Sequence, residues 1–221
     1  RRARGTHLMV RRLIYIGLLL RLLVAFWNGY FGPSFGAEGD AADFHQVAVE
    51  YSEHLEMDRF IFGLIYSYAL GTIYHFTVPS LFLGGVLAAM AWLVSTRVLV
   101  RIMRLLEFDR RQATGVMAVY ALLPSSLMWT GVTMREPYQL LLVNVAVYAA
   151  LRVYLHKATR HWLTLVVAGA LGGLLQPGLF AYGVLLLALT AVWLLLRRRR
   201  GIPIAKLIWV APLAVAVVAY G

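Results

Sequence analysis

Asp40 and Asp43 stand three residues apart at the start of a stretch, Ala41 to Leu55, that reads as helical. A helix starting there places both carboxylates on one face. A carboxylate at a membrane surface can act as general base on an acceptor hydroxyl. The plainer reading makes Asp40 the N-cap, after a turn through Pro33, Gly36 and Gly39, and the other acids a solvated face. His45 follows on the same stretch, and with Asp40 and Asp43 it could ligate a divalent metal, although no HExxH-like spacing exists. A second feature is Thr133-Met134-Arg135-Glu136-Pro137. An arginine fork suits a phosphate; Pro137 fits the first turn of a following helix and Glu136 its positive end. The plainer reading there is an ion pair anchored at an interface. A third is Leu175-Gln176-Pro177-Gly178, where Gln176 offers a hydrogen-bonding group at a break in an apolar stretch, or simply a turn. Arg21 interrupts the first apolar run; it can snorkel, pair inside a bundle or meet an anionic headgroup.

The elements that must position these residues are apolar helices. Of 221 residues 61% are hydrophobic and 14% charged, too few charges to cover a soluble surface, given about 25% charged in an average soluble domain. The fold expected is all-α, a polytopic membrane bundle forming a single domain over 1–221. Apolar runs fall at about 13–30, 60–76, 80–100, 113–131, 137–155, 162–175, 178–196 and 204–220. Of 21 basic residues, 18 lie in four clusters, Arg1 to Arg12, Arg97 to Arg111, Arg152 to Arg160 and Arg197 to Lys206, each between apolar runs. That is the pattern of cytoplasmic loops, and it argues against a nucleic-acid partner for the net charge of +11. If every run crossed, the cluster at 97–111 would face out. Letting 60–76 lie along the outer face puts all four clusters inside and leaves about seven spans with a cytoplasmic N-terminus. The tyrosines and histidine of 60–76 suit an interface. Seven of the ten carboxylates lie between Glu38 and Asp58, in an outer loop, 30–79, expected to carry interfacial helices.

No cysteine is present, which removes disulfides and thiolate chemistry. No small-residue cleavage site follows Phe26-Trp27-Asn28, so the first run reads as a retained span rather than a signal peptide. No dinucleotide or P-loop glycine pattern and no internal repeat is evident. The four arginines at 197–200 read as a topology anchor, with anionic-lipid contact secondary.

The order of these features resembles the C-type glycosyltransferase superfamily, in the protein O-mannosyltransferase and aminoarabinose-transferase branch. The residues that carry the resemblance are Leu-Leu-Arg-Leu-Leu at 19–23, an outer loop with Asp40, Phe44, His45 and Ala48, then Leu122-Leu123-Pro124-Ser125-Ser126, Met134-Arg135-Glu136-Pro137, and Gly-Leu-Leu-Gln-Pro at 173–177. The resemblance implies a polyprenyl-phosphate-linked sugar donor and inverting transfer to an acceptor hydroxyl at the extracytoplasmic face. It implies Asp40 as catalytic base, with Asp43 as a substitute for the acid that relatives carry where this chain has Ala41. It implies Arg135 and Glu136 near the donor phosphate, with Arg21 and His45 on the substrate. Gln176 stands where relatives often carry arginine. These enzymes are usually longer, which implies a core module whose acceptor-binding part, or a partner subunit, lies elsewhere. No cofactor is expected.

Other readings are a polysaccharide polymerase or ligase with a lipid-pyrophosphate donor, disfavoured because Arg59 and Arg135 are its only outer-face arginines, and a non-catalytic lipid-phosphate-binding scaffold. A transporter is disfavoured because the span interiors offer few ionisable residues beyond Arg21.

Overall fold

The computed structural model describes residues 2–32, 39–56, 64–156, 158 and 160–197. Every regular element among the described residues is an α-helix: α1 (Arg2–Tyr30), α2 (Asp40–His54), α3 (Ile65–His75), α4 (Leu81–Leu105), α5 (Arg110–Leu122), α6 (Pro124–Thr130), α7 (Glu136–His156), α8 (His161–Leu175) and α9 (Pro177–Arg197). α4 and α7 are long and apolar enough to cross a membrane, and α5 with α6, bent by 54°, makes a third if the pair is one span. His161–Leu175 and Pro177–Trp193 are shorter apolar stretches. The run 204–220 lies outside the described residues. The described residues are therefore all-helical in their regular structure, with two or three helices able to span a bilayer.

The chain divides into two compact units, Arg1–Leu141 and Leu142–Gly221. In the first, α1 packs on α4, α5 and α6, and α2 packs on α3 and α4. Local chemistry sets the ends of these helices. Ser80 caps α4 by accepting from the Leu83 N–H at 3.1 Å. Asp109 and Gln112 close a capping box at the start of α5. The run 113–131, expected as one apolar stretch, is broken at Leu123, whose ψ of 122° is extended. The cause is Pro124: its ring disfavours helical backbone in the residue before it and it has no N–H to donate.

Asp40 is not the N-cap expected of it. Gly39 holds that position, with no side-chain cap, and Asp40 is the first helical residue. Its carboxylate favours the helix start through the dipole rather than through a capping bond. The run expected along the outer face contains α3, which lies against α2. Gly71 allows that contact, since a Cβ there would sit 2.6 Å from the Ala48 carbonyl oxygen.

Between α6 and α7 the chain is not helical at 131–135, yet it is buried: Val132 and Thr133 are 0% exposed. Thr133 Oγ1 donates to the Leu81 carbonyl at 2.9 Å. The stretch accepts this burial because its polar groups reach partners on neighbouring helices. Ala41 of α2 packs on Val132 and Met134, with Val24 of α1 against them. The start of α2 is thereby seated on the segment that carries Arg135.

In the second unit α8 and α9 meet through glycines: a Cβ on Gly183 would lie 2.8 Å from the Gly169 Cα. Small residues at such a seam let backbones approach closely. Ala146, Ala149 and Ala150 of α7 complete its core with Leu165 and Ala168.

Candidate functional site

The first turns of α2, α3 and α7 meet in the first unit. Asp40 and Asp43 are exposed there. Asp40 is near enough for its charge to act on Glu136. The Arg135 guanidinium lies over the Phe44 ring, 5.3 Å from its centroid, and its Nε is 4.0 Å from Glu136 Oε1. Both side chains keep about a quarter of their surface exposed, 27% and 24%. A pair at that limit of distance, still partly wet, is a weak one, and a guanidinium carries the planar fork of donors that suits a phosphate. Four of the residues singled out from the sequence, Asp40, Asp43, Arg135 and Glu136, are thus brought to one surface.

Behind them stands an aromatic wall that the sequence did not single out. Phe44 meets Tyr66 edge to face at 5.4 Å, and Tyr66 meets Tyr138 at 5.4 Å. Tyr66 is 4% exposed. Burial pushes its phenol well above the ordinary tyrosine range, with Tyr138, Tyr74 and Glu136 adding to the effect, so it stays protonated. The hydroxyl of Tyr66, Oε2 of Glu136 and Nε2 of Gln139 are buried with no hydrogen-bond partner. Buried polar groups are nearly always paired. These three are among several buried unpaired atoms of the described residues, and they lie on α3 and the first turn of α7.

His45 is tied into the same wall. Its Nδ1 lies 3.0 Å from the Tyr74 hydroxyl, and that hydroxyl donates its one proton to the Ser80 carbonyl at 2.9 Å. The His45 contact must then run the other way, with Nδ1–H donating to the Tyr74 oxygen. The network so assigns the Nδ1–H tautomer, which leaves the lone pair on Nε2. Burial holds the His45 pKa below the ordinary 6.5, so the ring is neutral at pH 7.

Arg21 lies elsewhere and is fully buried, 0% exposed. Its Nε donates to Thr130 Oγ1 at 2.6 Å. Its Nη1 donates to the carbonyls of Gly17 and Ala121, both at 2.9 Å, and Nη2 to Ser126 Oγ at 3.1 Å. Its guanidinium stacks on Trp92 at 3.7 Å from the ring centroid. Ala121 is in the last turn of α5, where the Pro124 break leaves carbonyls without helical donors. Arg21 supplies one of those donors. Its planar fork faces protein groups, and none of these partners is acidic.

Gln176 belongs to the second unit, where it is the C-cap of α8 and its N–H bonds the Gly172 carbonyl. A small pocket of about 10 Å³ in that unit is lined by apolar and small residues with Tyr182 and by no charged group. Among the described residues no three His, Asp or Glu side chains come together as a metal site; Asp40, Asp43 and His45 do not form one.

The signal for the missed residues was present but ambiguous. The tyrosines of 60–76 read as an interface belt, and Tyr138 and Gln139 as the ordinary start of a span. Comparison with family models, curated proteins and solved structures returns no match.

Proposed function

We propose that the chain is a membrane glycosyltransferase, or the core module of one, acting at the extracytoplasmic face on a polyprenyl-phosphate-linked sugar. It would have about seven spans and a cytoplasmic N-terminus. The observation that carries the reading is the meeting of Asp40, the Arg135–Glu136 pair and three unpartnered polar atoms at the ends of α2 and α7. A carboxylate, a partly exposed guanidinium and uncommitted donors and acceptors on one surface suit transfer from a phosphate leaving group to a hydroxyl.

In that reaction the acceptor oxygen forms a bond to the anomeric carbon as the bond from that carbon to the phosphate oxygen breaks. Attack from the face opposite the leaving group inverts the centre. The acceptor proton passes to the Asp40 carboxylate, and the polyprenyl phosphate departs with the electron pair. Arg135, partly exposed and over Phe44, would stabilise the charge that develops on the phosphate. Arg21 takes no part in it, because its donors are spent on Thr130, Ser126, Gly17 and Ala121.

Two measurements test this. Undecaprenyl phosphate should stabilise the purified wild-type protein in a thermal-shift assay or bind in native mass spectrometry, and Arg135→Ala should lose most of that response while staying folded. Asp40→Asn should keep lipid binding and abolish sugar transfer. Binding without turnover in the wild type would favour a non-catalytic lipid-phosphate-binding module. No binding by a well-folded wild type would sink the reading.

A further inference from the structure

We propose that Tyr66, Glu136, Gln139 and His45 form the subsite for the transferred group, and that this group is a hydroxyl-bearing sugar without a carboxylate. The inference rests on the lipid-linked-sugar reading and names its substrate class.

The argument is a count of hydrogen-bonding capacity. Tyr66 presents a hydroxyl, Glu136 an acceptor oxygen and Gln139 two N–H donors, all from atoms that are buried and without partners. Gln139 is three residues from Glu136 along α7, a neighbour on the helix surface. His45 adds an acceptor, because the Tyr74–Ser80 chain fixes its proton on Nδ1. A ligand that satisfies donors and acceptors together has groups that both give and receive a proton, and an alcohol is the simplest of these. One hydroxyl can donate to Glu136 Oε2 while accepting from Tyr66 or Gln139. A neighbouring hydroxyl can donate to His45 Nε2. The rings of Phe44 and Tyr138, which flank Tyr66 at 5.4 Å each, offer apolar surface to the C–H faces of a sugar ring.

A carboxylated sugar fits badly. Its carboxylate has no proton to give Glu136 or His45, and that group would meet the charge of Glu136 with Asp40 close by. The phosphate is recognised separately, by Arg135. The subsite therefore divides donor recognition into an anionic part and a hydroxyl part carried by different side chains.

Tyr66→Phe is the decisive variant, because it removes one oxygen and nothing else. That oxygen has no protein partner, so the unliganded protein should melt no lower than wild type. Affinity for an undecaprenyl phospho-hexose should fall about tenfold, the scale of one lost hydrogen bond. Affinity for undecaprenyl phosphate, which has no sugar, should not change. Gln139→Met should repeat the pattern. A wild-type protein that binds the sugar-bearing lipid no tighter than the bare one overturns the subsite and leaves the lipid-phosphate reading standing. So does Tyr66→Phe weakening both lipids equally or neither, and so does a Tyr66→Phe protein that melts markedly lower. Equal or tighter binding of an undecaprenyl phospho-uronate overturns the preference for a sugar without a carboxylate. A wild type that binds none of these lipids overturns the function and the subsite together.

Discussion

Replacing Arg21 separates a structural arginine from a ligand-binding one. The buried guanidinium gives four hydrogen bonds, to Thr130, Gly17, Ala121 and Ser126, and covers Trp92. Arg21→Met removes the charge and the donors but keeps much of the volume. It leaves the Ala121 carbonyl, at the broken end of α5, without its donor, a cost of about 1–3 kcal/mol. It also removes a desolvated cation–π contact of about 2 kcal/mol. Relief of the desolvation of a buried charge offsets part of this, so a net loss of about 2–4 kcal/mol is expected. Arg21→Lys keeps the charge but lacks the fork. An ammonium cannot reach Thr130, Ser126 and two carbonyls from one point, and it lies less well over an indole. The charge is then buried and under-solvated, a loss of roughly 3–5 kcal/mol. The expected order is wild type, then Met, then Lys. At about 2–4 °C per kcal/mol for a chain of this size, thermal scans in detergent at one fixed rate should resolve all three. A lysine variant as stable as wild type, or a methionine variant that melts normally yet loses undecaprenyl phosphate binding, would refute the argument and return Arg21 to the ligand.

Two further outcomes follow from the α2–α3 pair. Burial lowers the His45 pKa from 6.5, so above that value the ring is neutral in both folded and unfolded chains and costs nothing. As pH falls through 6.5 the unfolded chain takes the proton first, and stability declines. Wild type should therefore melt lower at pH 5.5 than at pH 7.5, and the difference should shrink in His45→Gln; an equal pH dependence in both would remove His45 as its source. At Gly71 a side chain would enter the Ala48 carbonyl at 2.6 Å, and Gly71→Leu should part the two helices at a cost of about 1–3 kcal/mol or more, seen as faster proteolysis or amide exchange in 40–54. Unchanged protection there would show that the helices shift to accommodate the leucine.

The helices were legible where composition alone decides them. The apolar runs 80–100 and 162–175 became α4, which starts after Ser80, and α8, which ends at Gln176-Pro177, close to the expected bounds, because caps and prolines are local signals. The Thr133–Pro137 turn was legible for the same reason. What the sequence concealed depends on pairs far apart in it. Arg21 could be seen as a misfit in an apolar run, but its acceptors lie 100 to 109 residues away on α5 and α6, and one of them exists because Pro124 ends a helix. The break itself was readable from Pro124, yet the hydropathy of 113–131 does not register it. Asp40 and Arg135 could be singled out as candidates by residue type and position. Tyr66 was not, because a tyrosine in an interfacial run carries no mark that its hydroxyl will be buried without a partner.

The two polar clusters of the first unit differ in a way that bears on function. Around Arg21 four donors meet named acceptors, and the ring beneath the cation is in place. A buried charge so thoroughly matched fixes geometry, and what it fixes is the bent α5–α6 segment that runs directly into 131–135. Around Tyr66 and Glu136 the reverse holds: polar atoms are buried and left without partners, although α2, α3 and the 131–135 segment are themselves tightly held by Gly71, Ala41 and Thr133. Incomplete hydrogen bonding within a rigid frame is the state expected of a site made ready for a ligand, since orienting those groups in advance lowers the cost of binding. Arg21 ties α1 to the α5–α6 bend, and the proposed ligand would meet the side of the frame where the unpaired atoms lie.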